Sequence, residues 1–77
     1  MNYNIEKIDE VVLALLYLTS FSESDNRRTW KGQDWEALDR LHEKGFIGNP
    51  KSKSKSVAFS DEGFERSKNL FKKYFEH

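Results

Sequence analysis

Apolar residues recur at helical spacing from the start of the chain. Ile5, Ile8, Val12, Leu15, Leu16 and Thr19 fall on one face, which predicts a helix from about Ile5 to Thr19. Asn4 suits its N-cap, and Glu6 lies in the first turn, where the helix dipole favours a carboxylate. The second half, VVLALLYL, is apolar on every side. Such a helix is either wrapped by its own domain or shared with a partner. Ser20 to Arg28 (SFSESDNRR) reads as a polar loop.

A second helix is predicted from about Gln33 to Lys44. Trp35, Leu38, Leu41 and His42 line one face, and Glu36, Asp39, Arg40 and Glu43 the other. Gly45 fits the left-handed C′ position, which puts Phe46 at C″ facing Leu41 at C3, a Schellman stop. Phe46–Ile47 and Val57–Phe59 read as two short strands. Between them lies the tip GNPKSKSKS, which Asn49-Pro50 turns. If this tip is extended, Lys51, Lys53 and Lys55 point the same way. Ser60 caps a last helix, Asp61 to about Phe75. Its apolar stripe is Phe64, Ser67, Leu70, Phe71, Tyr74 and Phe75. The expected fold is α+β, a single small winged-helix-like domain over residues 1–77 with the order α-α-β-β-α.

At 77 residues the core is thin, and with no cysteine there is no disulfide or thiolate-zinc site to reinforce it. Two Trp, six Phe and three Tyr must supply much of the burial. Thirteen basic residues balance thirteen acidic ones, which argues against a protein coated for nucleic acid or membrane. Charge is nevertheless local: residues 21–32 carry +1 and 45–60 carry +3, while 1–20 and 33–44 carry −2 each. The apolar run Val11–Leu18 is shorter than the roughly 20 residues a bilayer needs. Acidic residues precede it where a signal peptide would be basic, so the expectation is a cytoplasmic protein that does not engage membranes.

Lys51, Lys53 and Lys55, joined by Arg27 and Arg28, are the candidate nucleic-acid contacts, because cations on a tip can reach phosphates. Lysine on a hairpin tip also simply discourages edge-to-edge aggregation. The outward face of the second helix is acidic at Glu36, Asp39 and Glu43, which suits a DNA groove poorly. Trp35 has core spacing, whereas Trp30 fits either the core or an exposed partner anchor. His42 has no second histidine or cysteine nearby to complete a metal site. No nucleophile–base set or phosphate loop appears, so neither an enzyme nor a cofactor is expected.

The stretch LHEKGFI, a wing, then SDEGFERS resembles the recognition-helix-to-wing region of bacterial winged-helix regulators over roughly residues 34–70. A resemblance over nearly the whole chain rests on IDEVVLALLYLT, TWKGQDWEALDRLHEKGFI, KSV and EGFERS. These blocks resemble a family of small bacterial proteins known as domain of unknown function 6429, which implies no particular activity. The loop FSESDNRR and the tip GNPKSKSKS look individual to this member.

The resulting expectation is a non-enzymatic module that binds another protein or itself. As a homodimer it would use an outward face of the first helix made of Val11, Leu13, Ala14, Tyr17 and Leu18. The alternative is a winged-helix DNA-binding regulator that contacts phosphates through its wing lysines.

Overall fold

A side chain caps the start of each helix, and those caps set the frame. In the computed structural model, which describes residues 2–77, Asn4 Oδ1 accepts from the Lys7 amide at 3.0 Å and starts α1 (Ile5–Leu18). Asp34 Oδ2 accepts from the Ala37 amide at 3.1 Å and starts α2 (Trp35–Glu43). Ser60 Oγ accepts from the Gly63 amide at 2.9 Å and starts α3 (Asp61–Phe75). Between α1 and α2 run β1 (Ser20–Glu23) and β2 (Asn26–Trp30), and β3 (Ser56–Ala58) precedes α3. The strands form one antiparallel sheet in the order β1-β2-β3.

The class is therefore α+β, with three helices and a three-stranded sheet, but the element order is α-β-β-α-β-α. The expected polar loop is a hairpin. Ser20 pairs with Thr29 and Glu23 with Asn26, closed by Ser24-Asp25 with Ser24 at φ 50°. Its polar positions hid it, since only Phe21, Thr29 and Trp30 mark the strands as buried or stacked. Conversely, the expected strand Phe46–Ile47 reduces to one bridge, Ile47 to Phe59. Past that bridge the Gly48 amide still bonds to the Ala58 carbonyl at 2.9 Å, and the buried Pro50 then turns the chain away. β3 takes its ladder from β2 instead, with Trp30 opposite Ser56 and Arg28 opposite Ala58.

The core joins Val12, Leu13, Ala14 and Leu16 of α1 to Ala37, Leu38 and Leu41 of α2, with Ile47, Val57 and Leu70. Tyr17 packs on Phe64 and Phe71 of α3, ring centroids 5.6 and 5.4 Å away. Trp35 is not core: it is 59% exposed, because Ala37, Leu38 and Leu41 form the buried face of α2. His42 is exposed too, and its Nδ1 lies 3.0 Å from the Ile47 carbonyl oxygen.

The stop after α2 follows the sequence reading closely. Gly45 has φ 79°, its amide donates to the His42 carbonyl at 2.9 Å, and the Phe46 amide donates to the Leu41 carbonyl at 3.1 Å. Gly63 has a different role. A Cβ there would lie 2.7 Å from the Phe46 Cα and closer still to its carbonyl. α3 thus lies directly on the backbone leaving α2, and Ser60 Oγ donates to the Gly45 carbonyl at 2.6 Å in the same place.

The two glycines should respond differently to alanine. Gly45→Ala meets open space and only left-handed strain, so it should cost about 1 kcal/mol. Gly63→Ala must move backbone and should cost on the order of 3 kcal/mol. Urea midpoints measure both, and equal losses would place the α2–α3 contact elsewhere.

Candidate interaction surfaces

The second half of α1 is apolar all round, so the orientation of the helix is set by the polar residues of its first half. Asp9 is 2% exposed. It accepts from Arg40 Nε at 2.8 and 3.0 Å and from Arg40 Nη2 at 2.8 Å, and Lys44 Nζ stands 3.5 Å away. Such bidentate pairing suits the planar guanidinium. Aspartate hydrogen bonding also raises the Arg40 pKa above its ordinary value, so the guanidinium stays charged. Next to Asp9, Glu10 accepts from the Tyr74 hydroxyl at 2.5 Å, with Lys73 and Arg66 at 3.8 and 4.0 Å. The Tyr74 hydrogen bond, then Lys73, Arg66 and Lys7, hold the Glu10 carboxyl below its ordinary value despite some desolvation. The same hydrogen bond raises the Tyr74 hydroxyl pKa. At the C-terminal end, Thr29 Oγ1 donates to the Leu16 carbonyl at 2.7 Å and ties the hairpin to α1.

These contacts turn the helix about a quarter of a revolution from the expected orientation, with Val12 and Leu16 inward in both. Leu13 (1% exposed) and Ala14 (0%) lie in the core, and Tyr17 is half-buried against α3, so none of the three faces outward. Of the expected self-association residues, Val11 and Leu18 remain on the outer side, Leu18 being 63% exposed. Ile8 and Leu15, expected inside, join them. Ile8, Val11, Leu15 and Leu18 form one stripe at alternating spacings of three and four. Beside its N-terminal end lies a groove of about 460 Å³ lined by Tyr3, Lys7, Ile8, Val11 and Val12. The spacing was legible in the sequence; its outward orientation needed Asp9 and Glu10.

The lysine tip is not an extended wing strand. Residues 51–55 form turns and bends, opened by the Lys51 amide donating to Asn49 Oδ1 at 2.9 Å. All three lysines are exposed. Lys31 Nζ donates to the Pro50 and Ser52 carbonyls at 2.9 and 2.8 Å and fixes the loop. Arg27 and Arg28 lie on opposite faces of β2. The Arg27 guanidinium stands 4.8 Å over the Phe64 ring. Arg28 donates to Ser56 Oγ and to the Ser56 carbonyl, each at 2.9 Å, so its role is to join β2 to β3. Trp30 is 53% exposed and stacks on Phe21, centroids 4.7 Å apart, which settles it as a surface residue. Among the described residues, no helix is long and apolar enough to cross a membrane.

Residues 4–77 match the family described as Domain of unknown function (DUF6429). The chain belongs to that family. It is also similar to the Uncharacterized protein y4hR of Sinorhizobium fredii (strain NBRC 101917 / NGR234), with 51% identity over 75 residues covering 97% of each chain. No solved structure matches the chain. The DUF6429 match includes α1, the glycine stop and α3, so the residues that orient α1 lie inside the family's extent.

Two measurements check this orientation. Arg40→Ala leaves Asp9 buried without its main counter-charge. It should cost near the lower end of the roughly 3–5 kcal/mol for breaking a buried pair, because the Arg40 side chain is 29% exposed. The Glu10–Tyr74 bond should limit stability at both ends of the pH range. A lowered glutamate pKa contributes stability that is present above the ordinary value of 4.5 and lost as pH falls through the lower folded value. A raised tyrosine pKa contributes stability that is present below 10.0 and lost as pH rises through the higher folded value. Tyr74→Phe should lower the midpoint at neutral pH and reduce both declines. Urea midpoints from about pH 2 to about pH 11 test it, and unchanged acid and alkaline slopes would dissociate this bond from stability.

Proposed function

We propose that this DUF6429 protein is a non-enzymatic interaction module that self-associates through the outward stripe of α1. The observation that carries this reading is the row Ile8, Val11, Leu15 and Leu18, exposed or half-exposed beside an apolar groove. A contiguous apolar strip is unusual on the surface of so small a monomer.

A second copy fits the strip because the strip is self-complementary. In an antiparallel crossing centred near Leu13, Leu18 of one copy meets Ile8 of the other, and Val11 meets Leu15. The protruding Leu18 then seats beside the groove lined by Tyr3, Ile8 and Val11 of the second copy, twice over by symmetry. α1 has only 14 residues, so the contact is small and its affinity modest. Dissociation constants of about 10–100 µM are expected, since association costs offset much of the apolar gain.

Light scattering after size exclusion should show a mass that rises with concentration. Ile8→Glu combined with Leu18→Glu should give a folded monomer, because both side chains point outward. Leu13→Glu should unfold the chain instead, as that residue is 1% exposed. Wild-type protein that stays monomeric at hundreds of micromolar, well above the expected constant of about 10–100 µM, removes the reading.

A further inference from the structure

The sheet has an outer face that association through α1 leaves unused. Strand alternation places Thr29 and Val57 inward, both buried, and Phe21, Arg28, Trp30, Ser56 and Ala58 on the other side. On that side the Trp30 ring stacks on Phe21 at 31°, and about half of the tryptophan surface is open. Arg28, held by Ser56, fixes the strand beneath the pair.

The lysine loop begins where this platform ends. Trp30 pairs with Ser56, and the Lys31 amide donates to the Lys55 carbonyl at 3.2 Å. Lys31 Nζ clamps the loop further along at Pro50 and Ser52. Lys51, Lys53 and Lys55 therefore project from a fixed loop adjoining an exposed indole. The net charge of both segments is positive, residues 21–32 at +1 and residues 45–60 at +3, with Glu23 on the same face of β1 neutralised by Arg28 at 3.9 Å, while the acidic excess sits on residues 1–20 and 33–44.

We propose that the Phe21–Trp30 face binds single-stranded nucleic acid, with a base stacked on Trp30 and the neighbouring phosphates reaching Lys51, Lys53 and Lys55. An exposed ring beside exposed cations matches a ligand that offers a flat base and a backbone charge together. Duplex DNA hides its base faces, and α2, the helix that would enter a groove, exposes Glu36 and Glu43. The inference does not depend on the α1 stripe.

Anisotropy of labelled oligo(dT) and oligo(U) of about 12 nucleotides, with the whole chain at about 50 mM salt, tests it. Both strands should bind and quench tryptophan emission. The slope of log affinity against log salt should be no steeper than about −2, the value for three lysines on a single strand. Trp30→Ala should weaken binding on the order of 5- to 150-fold, the range for losing one stacked base. Trp30→Phe should fall between the two, and Trp35→Ala should match wild type. Replacing Lys51, Lys53 and Lys55 with Gln should abolish the salt dependence. The proposal is overturned if neither strand binds at about 20 mM salt. It is equally overturned if Trp30→Phe binds as wild type, if a duplex of the same length binds as tightly, or if inorganic polyphosphate competes as well per phosphate.

Discussion

The carboxylate of Asp9 is almost wholly withdrawn from water, and Arg40 reaches it with three hydrogen bonds from the facing helix. Burying a carboxylate costs several kcal/mol, and a well-formed pair roughly offsets that cost without adding much stability. Its consequence here is directional. Apolar burial has no preferred direction, so a helix that is apolar on every side could settle in several rotations at similar gain. Only one of them brings Asp9 to Arg40 and Glu10 to Tyr74. That rotation sends Leu13, Ala14 and Leu16 inward and leaves Ile8 and Leu18 outside.

The hairpin depends on the same helix at its other end. The last carbonyls of α1 lack partners within the helix. The Leu16 carbonyl accepts from Thr29 Oγ1 at 2.7 Å and from Thr19 Oγ1 at 3.4 Å, and the two hydroxyls lie 2.9 Å apart. Thr29 is fully buried, so one threonine both satisfies the helix end and fixes which face of β2 turns inward. Its neighbour Trp30 must then face out. The exposed indole thus follows from the buried hydroxyl beside it.

Features governed by adjacent residues were legible in the sequence. The Asn4 and Ser60 caps and the Gly45 stop depend on residues within a few positions, and each forms as the spacing indicated. The α1 phase and the hairpin depend on partners far along the chain. Asp9 lies 31 residues from Arg40, and Glu10 lies 64 from Tyr74. Single-residue patterns in a helix uniformly rich in Val, Leu and Ala hold no record of those partners. The one usable trace was the position of its charges, because Asp9, just before the apolar run, lies on the side that turns inward. Gly63 was hidden for a similar reason: its requirement comes from the Phe46 backbone, 17 positions earlier.

The two surfaces proposed as functional belong to different elements and oppose each other in chemistry. The α1 stripe is apolar and lies in the acidic part of the chain, and the Trp30 face is aromatic and lies in the basic part. A symmetric pair joined by α1 would keep both Trp30 faces free, because none of its contacts uses β1, β2 or the lysine loop. Two weak single-strand sites held in one particle act together, since the second contact becomes intramolecular and its effective concentration can reach about millimolar. Modest affinity at each surface is then sufficient for retention on a long strand. Monomerising the protein at Ile8 and Leu18 would weaken binding to long strands far more than to short ones, without touching a single residue of the stacking face.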